Sequence, residues 1–224
     1  MASKLSKRLE TIISFVGKDS YPADIGSDHA LVPIELISRG IVKRAFAVEN
    51  KIGPFQRMKN AIEEAGYENE ILCSLGGGIA SIPSEVNEVI LAGMGGELIA
   101  SILLSHPEKL VKVSYLVIDA HREYPFLLEK LGNLGFLAID DSFFYDKGKP
   151  YCVYRFKNVH HSFEYSPLEL YFGPIEITRK SEAWRIYFLS LLKTKKAILA
   201  QQNLSISAKE ELENEINLIK RCTL

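Results

Sequence analysis

The sequence predicts an α/β protein: a doubly wound, mostly parallel sheet with a terminal antiparallel hairpin, followed by a small helical domain. Three observations carry this expectation. Strand-like and helix-like stretches alternate from about residue 21 to residue 134. The strand-like runs are nearly continuous in apolar residues, as parallel strands covered on both faces require. Two later runs, "FLAIDDSFFY" and "PYCVYRF", follow one another across the turn "DKGK" and read as an antiparallel pair at one edge.

The elements follow in order. Residues 3–16 form an amphipathic helix, with Leu5, Leu9, Ile12 and Val16 at helical spacing and Gly17 as its stop. "YPADIG" is a first strand, and "LVPIELISRG" a helix with Pro33 in its first turn and Gly40 at its end. "RAFAVEN" is a second strand. "PFQRMKNAIEEAG" is a helix opened by Pro54, with Phe55, Met58, Ile62 and Ala65 on one face. "EILCSL", "EVILAG" and "YLVIDA" are further strands, with helices near 96–104 and 123–134. After the hairpin, "EYSPLELYFGPIEI" reads as a connector. Trp184, Phe188, Leu191 and Ile198 mark one long helix. Ser207 and Glu210 suggest a capping box for a second helix carrying Leu212, Ile216 and Ile219, joined to the first by "QQNLSIS". The expected division is residues 1–160 for the sheet domain and 161–224 for a helical hairpin or coiled coil.

Composition narrows the function classes. At 224 residues such a chain buries about 70–75% of its unfolded surface. A hydrophobic share of 47% and a charged share of 25% are ordinary for a globular protein. The net charge of −1 gives no global positive field for nucleic acid. However, residues 176–224 hold nine Lys or Arg against six acids, with "KTKK" at 193–196. No apolar run is long enough for a membrane span, and the N-terminus has no signal peptide pattern. Cys73, Cys152 and Cys222 are too far apart for a zinc or disulfide motif, so the expectation is a cytoplasmic protein with reduced thiols and no metal.

Doubly wound sheets bind ligands beyond the carboxyl ends of their strands. Strand 1 ends in Asp24, Gly26, Ser27, Asp28 and His29; strand 2 in Glu49 and Asn50; strand 3 in Gly76, Gly77 and Gly78; strand 4 in Ala92, Gly93, Met94, Gly95 and Gly96. Glycine lets backbone approach a ligand, and an acid about 25 residues after Asp24 suits a ribose diol. A dinucleotide fold wants G-x-G-x-x-G, but Asp28 stands where its second glycine would be. Two acids would repel a pyrophosphate. They suit a ligand with an ammonium and a sulfonium, which describes S-adenosylmethionine. The cofactor-facing residues are therefore expected to be Asp24, Gly26, Ser27, His29, Glu49, Asn50, Gly76, Gly77, Gly78, Ala92 and Gly93. Asp28 is expected to face the crevice and serve the transfer step, unless it only caps the next helix. Met94 is expected beside it as an adaptable packing surface.

"ADIGSDHALVPIELISRG", "GPFQRMKNAIEEAG" and "ILAGMGGELIASIL" closely resemble the bacterial tRNA (adenine-22-N1)-methyltransferases, over residues 1–156. That resemblance implies a Rossmann-like class I methyltransferase fold with a C-terminal coiled-coil domain, S-adenosylmethionine as cofactor and methylation of adenine N1 in tRNA. No membrane or protein partner is implied. The chain departs from the family in having Gly76-Gly77-Gly78 where G-D-G is common, Leu31 where tyrosine is frequent, and "DAHRE" after strand 5. Class I enzymes acting on exocyclic amines carry a (D/N)-P-P-(Y/F) loop after strand 4; "AGMGG" in its place suits a ring nitrogen. Gly95, Gly96, His121 and Arg122 are expected near the target base, and Lys193, Lys195 and Lys196 on tRNA phosphates, with Lys4, Lys7 and Arg8 as the other basic handle. The rival expectations are a small-molecule methyltransferase and a non-catalytic tRNA binder on the same scaffold.

Overall fold

The computed structural model describes residues 5–201 and 204–223. Lys4 of the expected first helix, and Gln202 and Asn203 of the expected inter-helix loop, lie outside the described residues.

Seven strands form one sheet: β1 (Pro22–Ile25), β2 (Ala45–Glu49), β3 (Ile71–Leu75), β4 (Glu88–Met94), β5 (Tyr115–Ala120), β6 (Phe136–Asp146) and β7 (Lys149–Asn158), in the order β3-β2-β1-β4-β5-β7-β6. β1 to β5 are parallel, while β7 runs antiparallel to β5 and to β6. The chain moves outward from β1 to β3, then returns to lay β4 on the other side of β1. That reversal leaves a gap between the carboxyl ends of β1 and β4 that no crossover helix covers, the usual ligand position in such sheets.

Helices cover both faces. α1 (Lys7–Phe15), α2 (Leu31–Ser38) and α3 (Ile52–Ala65) bury Ile12, Leu36, Met58 and Ile62 against one face. α4 (Gly96–Ser105) and α5 (Tyr124–Asn133) bury Ile99, Leu103, Leu127 and Leu131 against the other. The Ser6 hydroxyl caps α1 by accepting from the Leu9 N–H at 3.3 Å. Gly66, at φ 73°, closes α3.

The connector expectation is corrected. Residues 164–177 hold α6 (Pro167–Phe172) and the start of α7 (Glu176–Arg179). Ser166 and Glu169 form a reciprocal capping box, at 3.3 and 2.7 Å, with Pro167 in the first turn. The expected box at Ser207 and Glu210 is also corrected. Ser205 lies two residues earlier and takes the role, its hydroxyl accepting from the Ala208 N–H at 3.2 Å, so that Ser207 falls inside the helix.

Beyond these, α8 (Glu182–Leu199) and α9 (Ile206–Thr223) pack as a helical pair. Trp184, Phe188 and Leu192 meet Ile216, Ile219 and Phe172, and Phe143 of β6 joins them from the sheet. The Trp184 indole donates to the Phe172 carbonyl at 2.8 Å, so its polar atom is satisfied within the apolar cluster. Arg179 ties this unit to the sheet edge: Nη1 donates to Oδ1 and to the carbonyl of Asp141, each at 2.6 Å, and Nη2 donates to Asp140 at 2.8 Å. Burial, with Glu176 nearby, still pushes the Asp141 carboxyl up to about 7. Residues just past 160 pack on the sheet domain too. Tyr165 is buried and its hydroxyl accepts from the Ala138 N–H at 2.8 Å. Among the described residues no helix is long and apolar enough to cross a membrane.

Trp184→Ala is expected to lower stability by ~3–5 kcal/mol, the usual cost of emptying a large aromatic site. Urea unfolding followed by far-UV circular dichroism measures this, and a loss below ~1 kcal/mol would show that the cluster collapses around the gap.

Candidate active site

At the carboxyl ends of β1 to β4 a crevice of about 500 Å³ opens, floored by Gly26, Gly93 and Met94 and walled by Asn50, Gly76 to Gly78 and Ile102. Two glycines make it possible. Gly26 has φ 79°, and a Cβ there would lie 2.8 Å from the Met94 methyl. Gly93 has φ 81°, and its Cβ would meet Arg8 Nη2 at 2.8 Å. Any other residue would be strained at these φ values and would push the end of the Met94 or Arg8 side chain aside. Gly77 is the opposite case: its backbone is extended, at φ −89°, and a side chain would enter open space.

Behind the glycine floor stand two buried acids, Asp24 and Glu49, each 8% exposed. Asp24 accepts from the Ser27 hydroxyl at 2.5 Å. Burial pushes its carboxyl up to about 6; the Ser27 bond opposes that and the charge of Glu49 adds to it. Glu49 Oε1 accepts from the backbone N–H groups of Asn50 at 2.9 Å and Lys51 at 3.3 Å. The contrast with the other buried acids is informative. Glu88 has Arg155, Asp119 has Arg8, and Asp141 and Glu176 share Arg179. Among the described residues, Asp24 and Glu49 alone of these six lack a cation within ion-pair distance. A crevice backed by two such acids is suited to a ligand that brings its own positive charge and donors.

Not every expected residue reaches this place. Gly26, Asn50, Gly76, Gly77, Gly78, Ala92, Gly93 and Met94 line the crevice, and Asp24, Ser27 and Glu49 sit behind it. Asp28 does not face it. Its carboxylate pairs with Arg57 of α3, through Nε and Nη2 at 3.1 Å each, and that bond holds its pKa below the usual range. Nor does Asp28 cap a helix with its side chain; His29 and Ala30 both adopt left-handed backbone (φ 65° and 49°) and turn the chain before α2 begins. His29 is exposed beside Asp28, at 3.7 Å. Gly95 and Gly96, expected to leave room for a base, instead accommodate the 121–123 loop. A Cβ on Gly96 would strike the carbonyls of Glu123 and Arg122 at 2.7 and 2.9 Å. His121 stands at the crevice edge, its Nε2 4.0 Å from a Gly93 Cβ, while Arg122 is exposed and pairs with Glu123 at 3.0 Å. Lys193 and Lys196 are exposed, whereas Lys195 is paired with Glu215 across the two long helices.

Arg8, expected as part of a basic handle, is instead held in an ion pair that the sequence does not show. Arg8 of α1 donates from Nε to Asp119, which is fully buried at the end of β5, and its guanidinium lies over the Gly93 backbone and beside the Tyr151 ring. Residues 111 positions apart give no local signal of this contact.

The sheet order, the glycine floor at its switch point and the unpaired acids behind it define a class I methyltransferase. The family model described as "Methyltransferase domain" matches residues 5–154. The tRNA (adenine(22)-N(1))-methyltransferase of Bacillus subtilis (strain 168) is 34% identical over 151 residues, 67% of this chain and 63% of that protein, so the match spans a little under two thirds of this curated relative. A crystal structure of a Streptococcus pneumoniae protein assigned as a tRNA (m1A22) methyltransferase superimposes with a TM-score of 0.93 at 30% identity, over 99% of this chain and 100% of that one. The same protein in complex with S-adenosyl-L-methionine superimposes with a TM-score of 0.89 at 29% identity, again over 99% and 100% of the two chains. The chain belongs to the methyltransferase-domain family and, within it, to the tRNA (adenine-22-N1)-methyltransferases.

Asp24 ionises in the folded chain only near pH 6, against 3.8 for the free side chain, so its charge opposes folding. That penalty is absent below the unfolded pKa, grows between about pH 4 and 6, and is constant above. Without ligand, Asp24→Asn should therefore raise Tm relative to wild type by a margin that grows over the same interval and then levels, at ~2–4 °C per kcal/mol. Thermal melts at pH 4, 5, 6 and 8 check this; a margin independent of pH would refute it.

Proposed function

We propose that the chain methylates N1 of adenine 22 in tRNA with S-adenosylmethionine as donor. The observation that carries this reading is the pair of buried acids without a cation, set behind a glycine-floored crevice in a member of this family. The residues present fit the cofactor. Asp24 offers a carboxylate toward an ammonium, Glu49 toward a ribose diol, and the Gly76–Gly78 wall leaves room for an adenine. When bound, S-adenosylmethionine supplies an electrophilic methyl on a positively charged sulfur.

The chain's own part is chiefly placement. Adenine N1 has an in-plane lone pair, so attack requires no prior deprotonation. It requires N1 held in line behind the methyl–sulfur bond, and such positioning can contribute ~7–11 kcal/mol. N1 lies on the pairing edge, so the base must leave its stack, at a few kcal/mol. Gly93 and Met94 floor the end of the crevice where the base would enter, with His121 and the Arg8 guanidinium on its rim. Asp28, tied to Arg57, is given no role in transfer. Lys193 and Lys196, exposed on α8, would hold phosphates and set register while the pocket selects the base. The decisive experiment is incubation with labelled cofactor and unmodified tRNA, followed by mapping of the methylated base. Methylation at any other atom, or none, removes the reading.

Three variants test its parts. Glu49→Ala should weaken cofactor affinity tenfold or more by calorimetry, since a charge-assisted hydrogen bond contributes ~1.5–3 kcal/mol. Gly77→Asp should tighten it severalfold, because the position has ordinary backbone and open space beside the adenine wall. Replacing Lys193 and Lys196 with Gln should lower the slope of log tRNA affinity against log salt by about 2, with cofactor affinity unchanged.

A further inference from the structure

A second cavity, also of about 500 Å³, lies between the sheet domain and the helical pair. That volume is within the ~300–1,000 Å³ of small-ligand sites and is ample for one nucleotide. Aromatic side chains form a large part of its walls. Phe143, Tyr187 and Phe188 follow one another at ring separations of 5.5 and 5.1 Å, and Tyr171 closes the far side, 6.1 Å from Phe188. Phe143, Tyr171 and Tyr187 are only partly buried, so ring surface remains open to the cavity.

The charged side chains of the cleft are largely committed within the chain. Glu176, 1% exposed, lines the inner wall. Its Oε2 accepts from the Ser181 N–H at 2.9 Å, while Oε1 makes no hydrogen bond and has only Arg179 at 3.7 Å. Arg122 pairs with Glu123 and Lys195 with Glu215, all four lining the cleft, so of its basic side chains His121 is the one without an ion-pair partner among the described residues. His121 lines this cleft, and its Nε2 lies 4.0 Å from where a Cβ on Gly93 of the crevice floor would be. A strand delivering one base to the crevice therefore has a neighbouring nucleotide at the mouth of the cleft.

We infer that this interdomain cleft stacks an unpaired base adjacent to the methylated adenine of the RNA substrate. This rests on the tRNA reading above. Stacking on aromatic rings tolerates any base. In this arrangement the helical unit does more than add positive charge. It supplies the partly open rings of Tyr171 and Tyr187, the latter in contact with Phe143 of the sheet, so that the two units together fix the position of the flipped base.

The test uses the full chain and tRNA transcripts carrying 2-aminopurine on either side of adenine 22, whose fluorescence is quenched by stacking. Wild type with S-adenosylhomocysteine should quench the probe at one flank. Tyr187→Ala, alone and with Tyr171→Ala, should abolish that quenching and raise KM for tRNA roughly tenfold or more, with cofactor affinity and far-UV dichroism unchanged. Tyr187→Phe, which keeps the ring, should behave as wild type. Efficient transfer by wild type with neither flank quenched, or with KM unaltered in both alanine variants, overturns the cleft and leaves the tRNA reading standing. Absence of transfer by wild type to any transcript overturns that reading, and the cleft falls with it.

Discussion

The constraint on which this structure turns is negative charge buried where parallel strands end. Burial pushes the Asp24 carboxyl up to about 6, so its charge at neutral pH costs on the order of 3 kcal/mol. A domain stable by ~5–15 kcal/mol carries such a cost only if its core is sound elsewhere. Here that support comes from apolar layers on both faces of the sheet, built on residues such as Ile90, Leu91, Val117 and Ile118 that are wholly buried. The Ser27 hydroxyl and the N–H groups of Asn50 and Lys51 offset part of the cost at the two strand ends without supplying a positive charge.

The remaining buried acids show what the chain does when an acid is meant to be neutralised internally. Asp119 receives Arg8 from α1, Glu88 receives Arg155 from β7 together with the Gly17 N–H at 2.9 Å, and Asp141 receives Arg179 from α7. Each pair joins a peripheral element to a strand of the sheet, so these ion pairs also determine where α1, the hairpin and the helical unit sit. Because the same chain leaves Asp24 and Glu49 without a cation, their isolation reads as provision for a ligand.

Much of this was legible in the sequence, and the reasons differ by element. Parallel strands announce themselves because both faces are buried, and "ILAGMGG" and "LVIDA" leave little else to be. The glycines and acids of the crevice were legible because the fold assigns a fixed place to strand ends. Asp28 was misread because the turn after β1 is not an ordinary cap: two consecutive left-handed residues, His29 and Ala30, swing Asp28 toward Arg57. Such strain, ~1–3 kcal/mol per residue, has no sequence signature without glycine or asparagine. Gly95 and Gly96 were misread for a related reason. A glycine shows that backbone or side chain comes close, not whether the neighbour is a ligand or, as here, the 121–123 loop. Arg8 was read as a basic handle because its partner, Asp119, lies on the far strand of the parallel sheet and only tertiary packing brings them together.

The proposed reaction also explains why so much of the site is shape rather than acid–base machinery. Transfer moves a positive charge from sulfur to the purine ring, and no net charge is created. A negative field from Asp24 and Glu49 thus favours the bound cofactor and the methylated base alike, and binding both equally does not accelerate the step between them. The rate must come mainly from alignment. Alignment of a flipped base at the Gly93 end of the crevice needs backbone that comes close without a side chain of its own, a rim that does not shift and a hold on the neighbouring strand. Gly93 supplies the first. The buried Arg8–Asp119 pair supplies the second, because an arginine that left it would strand a fully buried carboxylate. The third falls to the surfaces on either side of His121, which is where the sheet domain and the helical unit meet.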